Sequence, residues 1–241
     1  MITQRRLGIL TPSSNSALEP LTSEIVAQAP GVSAHFSRFR VTEISMSEQA
    51  LSQFDTAPVL QAAHLLADAE VSVIGWSGTS AGWLGFDRDR ELCRLIESET
   101  GIRATTSVLA LLELIQLAGI NKVALYTPYT EDVQLRIIEH LAQAGIECVA
   151  EHHLGIARNF DFALVEPADI LQACDDMLAA SQAQAVITLC TNLRAAQLAT
   201  ELESRHAAML LDTVSTVLWK MMKMIDQPTD DLLPWGRMFR C

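Results

Sequence analysis

Along this chain, short apolar runs alternate with longer segments of helical periodicity, and few folds accept that order. Strands are expected at Leu7–Leu10, Val32–Phe39, Val71–Trp76, Ile102–Thr105, Lys122–Tyr126, Ile146–Glu151, Ala185–Leu189 and Met209–Leu211. Helices are expected at Leu18–Gln28, Thr56–Ala69, Arg88–Glu99, Val108–Ala118, Glu131–Ala144, Pro167–Ala180, Leu193–Ser204 and Thr213–Ile225. Strands joined through helices must run parallel, so the reading is an α/β fold with helices covering both faces of the sheet. Pro30-Gly31, Gly101 and Gly145 punctuate the boundaries, and Thr130 is placed to cap the helix that follows it. The tail from Gln227 to Cys241 reads as irregular but apolar enough to pack on this subunit or a neighbour.

The alternation also repeats. Leu10-Thr11-Pro12 is answered by Tyr126-Thr127-Pro128, and Gly78-Thr79-Ser80 by Cys190-Thr191-Asn192, at nearly the same offset and in the same order. Each triplet follows an apolar run and precedes a helical pattern. Equivalent strand ends at constant spacing imply two similar α/β halves. The first half is residues 1–115, completed by the C-terminal segment 212–241, and the second is 116–211. If the halves face each other, the loops 11–16, 77–82, 127–131 and 190–194 meet in one cleft, the usual place for a small-molecule site.

Composition narrows what such a cleft can serve. The 241 residues are 49% hydrophobic and 19% charged, which excludes a disordered chain. With 17 Lys and Arg against 29 Asp and Glu, the net charge of −12 opposes a nucleic-acid surface, though local N–H groups can still hold a small anion. No apolar stretch is long enough to span a membrane, and the N-terminus has no signal-peptide core, so a cytoplasmic protein is expected. The 5 cysteines contain no C-x-x-C pair, which fits reduced thiols rather than disulfides or zinc. No G-x-G-x-x-G, P-loop or H-E-x-x-H pattern occurs, so no cofactor and no metal is expected.

Within the four loops, specific residues carry chemistry. Cys190 ends an apolar run and is followed by Thr191, Asn192 and an expected helix, whose free N–H groups would lower the thiol's pKa; alternatively it is a buried structural thiol. Gly78-Thr79-Ser80 lies between Trp76 and Trp83, where small residues and hydroxyls can form an oxyanion pocket. Ser13, Ser14 and Ser16 read as helix caps, whereas the amide of Asn15 can donate to a carboxylate. Tyr129 offers one more donor, and Asn159 sits where no periodicity requires it. His152-His153 would point to opposite faces of a strand, Asp175-Asp176 reads as a solvated helix face, and Met221-Met222-Lys223-Met224 as core or subunit contact.

Taken together, Pro12-Ser13-Ser14-Asn15 with Glu19-Pro20, Gly78-Thr79-Ser80, Thr127-Pro128-Tyr129 and Cys190-Thr191-Asn192 resemble the aspartate/glutamate racemase superfamily, in its maleate isomerase and arylmalonate decarboxylase branch. The resemblance implies two Rossmann-like parallel-sheet halves related by pseudo-twofold symmetry, with the site in the cleft between them, and a cofactor-free enzyme acting on a small carboxylate or dicarboxylate. Racemases and maleate isomerases of this superfamily hold a cysteine on each side of the substrate; one matches Cys190, and the other falls at Gly78. Arylmalonate decarboxylases share that glycine. The resemblance therefore implies decarboxylation of a substituted malonate, with Thr79, Ser80 and Tyr129 binding a carboxylate and Cys190 donating the proton. Asn15 and Asn159 match carboxylate-holding asparagines of maleate isomerases, so cis-trans isomerisation is the alternative. A homologue that only binds a carboxylate is the third reading. Thr191 and Asn192 complete the candidate site, and a homodimer is expected.

Overall fold

The computed structural model describes residues 4–241. In order, the elements are β1 (Arg5–Pro12), α1 (Leu18–Val26), β2 (Val32–Phe39), α2 (Glu48–Leu51), α3 (Thr56–Asp68), β3 (Val73–Trp76), α4 (Ala81–Leu84), α5 (Phe86–Thr100) and β4 (Ala104–Thr106). There follow α6 (Ser107–Leu117), β5 (Lys122–Thr127), α7 (Glu131–Gln143), β6 (Glu147–His153), α8 (Pro167–Ala180), β7 (Ala185–Thr188), α9 (Ala199–Arg205), β8 (Met209–Asp212) and α10 (Thr213–Met224). The strands form two parallel 4-stranded sheets, ordered β2-β1-β3-β4 and β6-β5-β7-β8. The second order is the first repeated, as the recurring triplets required. Central strands β1, β3, β5 and β7 are buried almost throughout, because helices cover both faces of a parallel sheet.

The C-terminal helix α10 leaves the second sheet and packs on the first. A Cβ built on Gly75 of β3 would fall 2.4 Å from Met221 Sδ, so only glycine lets the helix approach so closely. Ser107 Oγ donates to the carbonyl of Thr213 at 2.7 Å, and Thr216 Oγ1 to that of Ser107 at 2.9 Å. The apolar tail stays on its own chain. It forms short 3-10 turns at Asp230–Trp235 and Arg237–Arg240 that bury Leu232, Trp235, Met238 and Phe239. Its anchors include Trp219 Nε1 donating to the Cys241 carbonyl and the Arg237 N–H donating to Glu203.

One expected element differs. No helix begins at Leu193: the chain runs irregularly from Leu189 to Ala195, forms a 3-10 turn at Ala196–Leu198, and enters α9 only at Ala199. Leu193, Ala195 and Ala196 are fully buried in that irregular run, so their apolar character comes from crossing the core rather than from a helix face. Among the described residues, no helix is long and apolar enough to cross a membrane.

Candidate active site

The strand ends of both sheets meet at one small cavity. Its wall contains Gly78, Thr79, Ser80, Tyr129, Asn159, Cys190 and Thr191, together with the apolar side chains of Trp76 and Trp83. Asn15 and Asn192 do not reach it. They stand directly behind, tying the two halves together. Asn192 Oδ1 accepts the N–H groups of Ser16 (2.9 Å) and Ala17 (3.1 Å), and its Nδ2 donates to the Asn159 carbonyl at 2.6 Å. Asn15 Oδ1 accepts the N–H groups of Ala17 (3.1 Å) and Leu18 (2.9 Å) just ahead of α1, while its Nδ2 donates to Thr191 Oγ1 at 3.2 Å. Thr191 passes the link on by donating to the Ser77 carbonyl. Asn159 Nδ2 in turn donates to Ser14 Oγ at 2.7 Å.

Cys190 follows β7, whose end is pinned. Asp212 accepts from Thr188 Oγ1 at 2.8 Å and caps α10 through Val214 and Ser215, so two strand ends and a helix share one carboxylate. Without a helix starting at Leu193, the expected lowering of the thiol's pKa does not occur. Burial instead pushes the Cys190 thiol up to about 12, with Asn192 N–H and the Tyr129 phenol acting the other way. The thiol is therefore protonated at neutral pH. Burial also holds the Tyr129 phenol well above its usual value. Tyr129 shares a 2.7 Å hydrogen bond with Thr79 Oγ1 and faces the Cys190 sulfur, so hydroxyl, phenol and thiol form one chain of protons.

Thr79 and Ser80 sit on the turn entering α4, and their backbone N–H groups have no partner among the described residues. These N–H groups and the hydroxyls supply neutral donors. Among the described residues, no charged side chain lines the cavity. On the loop's other side the Trp76 indole lies flat over Gly78: a Cβ built there would fall 2.0 Å from its Cζ2. Phe39 backs that indole at a ring separation of 4.9 Å. Gly78→Ala is accordingly expected to destabilise the protein by about 1–3 kcal/mol, the range for overpacking. Chemical denaturation measures it, and Trp76→Leu in the same chain should recover most of the loss; an unchanged midpoint in the single variant would contradict this packing.

Three wall residues escaped the sequence reading: Val41, Ile44 and Phe54. They come from the connection between β2 and α3, held over the site by Ile44 N–H donating to Ala157 and Asn159 N–H donating to Thr42. The alternation of apolar Val41, Ile44 and Met46 with polar neighbours was the available signal. The enclosed volume is about 20 Å³, room for a water molecule.

Comparison with known proteins agrees with the geometry. The arylmalonate decarboxylase family matches residues 8–238. The chain is 20% identical to a maleate isomerase of Geobacillus stearothermophilus over 93% of both chains. It is 24% identical to an arylmalonate decarboxylase of Bordetella bronchiseptica over 75% of this chain and 76% of that one. The fold is that of a Nocardia farcinica maleate cis-trans isomerase variant carrying a covalently bound succinylcysteine intermediate: the TM-score is 0.89 at 20% identity, covering 98% of both chains.

Proposed function

This chain belongs to the arylmalonate decarboxylase family, and from that premise we propose that it decarboxylates a substituted malonate, with Cys190 as the proton donor. The observation that carries this reading is the single thiol. Cys190 is the one cysteine of the cavity wall, and the Trp76 indole fills the space over Gly78 that a second thiol would need. One acid on one face protonates a planar intermediate; two-base racemisation requires a second acid-base group opposite.

The remaining steps use the groups in place. One carboxylate of the malonate binds the Thr79 and Ser80 donors and the Tyr129 phenol. The other lies against apolar wall, where its charge is poorly solvated. The bond from the α-carbon to that carboxylate breaks, CO₂ leaves, and the electron pair passes into an enediolate whose charge the donors stabilise. Cys190 gives its proton to the α-carbon. The thiolate formed is held by Asn192 N–H and the Tyr129 phenol until solvent reprotonates it. Neutral donors suit this chemistry, since they gain most where charge develops.

Isomerisation of a maleate-like diacid is the second reading, favoured by the similarity to maleate isomerases. It needs Cys190 as a thiolate that adds to the double bond, and burial opposes that form. Incubating the protein separately with methylmalonate, phenylmalonate and maleate, and following each by chromatography, distinguishes the readings. Loss of a malonate with release of CO₂ supports decarboxylation. Fumarate from maleate, with both malonates intact, overturns it.

A further inference from the structure

The two halves of the fold carry the same threonine at the same strand end, Thr11 on β1 and Thr127 on β5, both fully buried. Their surroundings differ. Thr127 Oγ1 donates to Gln134 Oε1 at 2.7 Å and accepts the Tyr129 N–H at 3.3 Å, whereas Thr11 Oγ1 has no hydrogen-bond partner among the described residues. Gln134 lies on α7 and is 1% exposed. At the same distance along the chain from Thr11 stands Leu18, equally buried. Gln134 Nε2 in turn donates to Glu151 Oε2 on β6 at 2.9 Å. Glu151 faces Leu125 across the second sheet in the register where Phe36 faces Ile9 in the first. A buried amide costs more to place than a leucine. The first half folds with Leu18 and Phe36 at these places, so the polar pair is not there to build the fold. What the second half has and the first lacks is the phenol of Tyr129, because the matching residue after Thr11-Pro12 is Ser13.

We propose that Gln134 is a positioning residue for Tyr129, holding the Thr127 hydroxyl in the orientation that receives the Tyr129 N–H; this rests on the reading above, in which the Tyr129 phenol serves the reaction. The chemistry fixes the direction of each bond. Burial pushes the Glu151 carboxyl up, but hydrogen bonds from His153 and Gln134 outweigh it and hold the group below the usual carboxylate range, so at neutral pH it only accepts. The Gln134 amide must therefore turn its NH₂ to Glu151 and its oxygen to Thr127. The Thr127 hydroxyl then donates to that oxygen and keeps a lone pair for the Tyr129 N–H. Gly155 N–H holds the other side of the residue by donating to the Tyr129 carbonyl at 2.9 Å. With both backbone groups held, the ring packs edge-on to Trp83 and Phe162 at centroid separations of 5.2 and 5.5 Å, and the phenol meets Thr79 Oγ1 at 2.7 Å.

Gln134→Leu, which gives the second half the residue the first half carries, tests this with two readouts. The chain has 2 tyrosines, so tyrosine isotopically labelled at Cζ gives one NMR signal for each, and Tyr129→Phe assigns them. In Gln134→Leu the Tyr129 signal should move while that of Tyr126 stays. Turnover of phenylmalonate should fall about tenfold in kcat with KM changed less than about twofold, since a misplaced donor loses most where charge develops. In a Tyr129→Phe background Gln134→Leu should have no further effect, because a residue that acts through the phenol loses its influence with it. An equal fall in that background would assign Gln134 a purely structural role and overturn the proposal. Glu151→Ala, at a half-exposed position, removes the acceptor that orients the amide; it should move the Tyr129 signal too, and it decides the matter if the leucine variant does not fold. A Tyr129 signal unmoved in the folded variants overturns the positioning role whatever the activity. A moved signal in a protein whose parent turns over no malonate overturns the decarboxylation reading alone.

Discussion

Cys190→Ala is expected to lower the turnover of a malonate by about 10²–10⁴-fold, the usual worth of a positioned general acid, while leaving the fold in place. The thiol contributes little to the scaffold. Its sulfur accepts a long hydrogen bond from Asn192 N–H at 3.4 Å and faces the Tyr129 phenol, and the local turn is closed by Leu193 N–H donating to the Cys190 carbonyl. The decarboxylation step itself draws on Thr79, Ser80 and Tyr129, so the variant should still bind a diacid. The pH dependence carries a second expectation. Because burial pushes the thiol up to about 12, its acid form persists across the neutral range, and its titration should not alter turnover between about pH 6 and 9. A thiolate nucleophile would show the opposite sign, with a rate rising as pH rises. Steady-state kinetics of both proteins over that range measures both expectations; full activity in Cys190→Ala would remove the proton donor from the account.

Asp89→Asn is expected to change the pH dependence of stability by a larger energy than any surface substitution. The Asp89 carboxyl is raised by burial from 3.8 to about 7. Below pH 3.8 the folded and unfolded chains both keep the proton, and the native state is undisturbed. Between 3.8 and about 7 the unfolded chain ionises while the folded one does not, so stability falls as pH rises and levels off above the folded value. Three pKa units correspond to a loss on the order of 4 kcal/mol across that window. Asparagine cannot ionise, so the variant should match the parent within about 1 kcal/mol at pH 4 and exceed it by roughly 4 kcal/mol at pH 8. Asp212, raised by burial to about 6, contributes a similar fall that ends earlier and is common to both proteins. Urea denaturation across pH 4–8 gives the two curves; parallel curves would mean Asp89 is solvated or paired.

Much of this architecture is legible in the chain because the signals are local and repeated. A parallel strand is a short apolar run, and its carboxyl end is marked by small polar residues, so Thr11-Pro12 and Thr127-Pro128 place themselves. The same logic brings Gly78, Thr79, Ser80, Tyr129, Cys190 and Thr191 to one wall. What the chain conceals depends on partners distant in sequence. Leu193–Leu198 has the apolar density of a helix, yet it is buried by crossing the core. Nothing local tells that Asn192 serves Ser16 and Asn159, or that the Asn15 amide is turned to Thr191. Asp89, between Arg88 and Arg90, looks like any solvated first turn; only tertiary packing closes over it. The Trp76 indole over Gly78 is likewise a contact that spacing cannot reveal.

The central claim is that one thiol, on one face, delivers the proton. The most direct measurement is turnover of a disubstituted malonate, methylphenylmalonate, in D₂O, with the monoacid product analysed by chiral chromatography and proton NMR. One enantiomer bearing a single deuterium at the α-carbon is expected, with deuterium incorporation and stereochemical preference both lost together with activity in Cys190→Ala. A racemic product from the parent protein would show that protons arrive from both faces, and a single-thiol site could not then be the source.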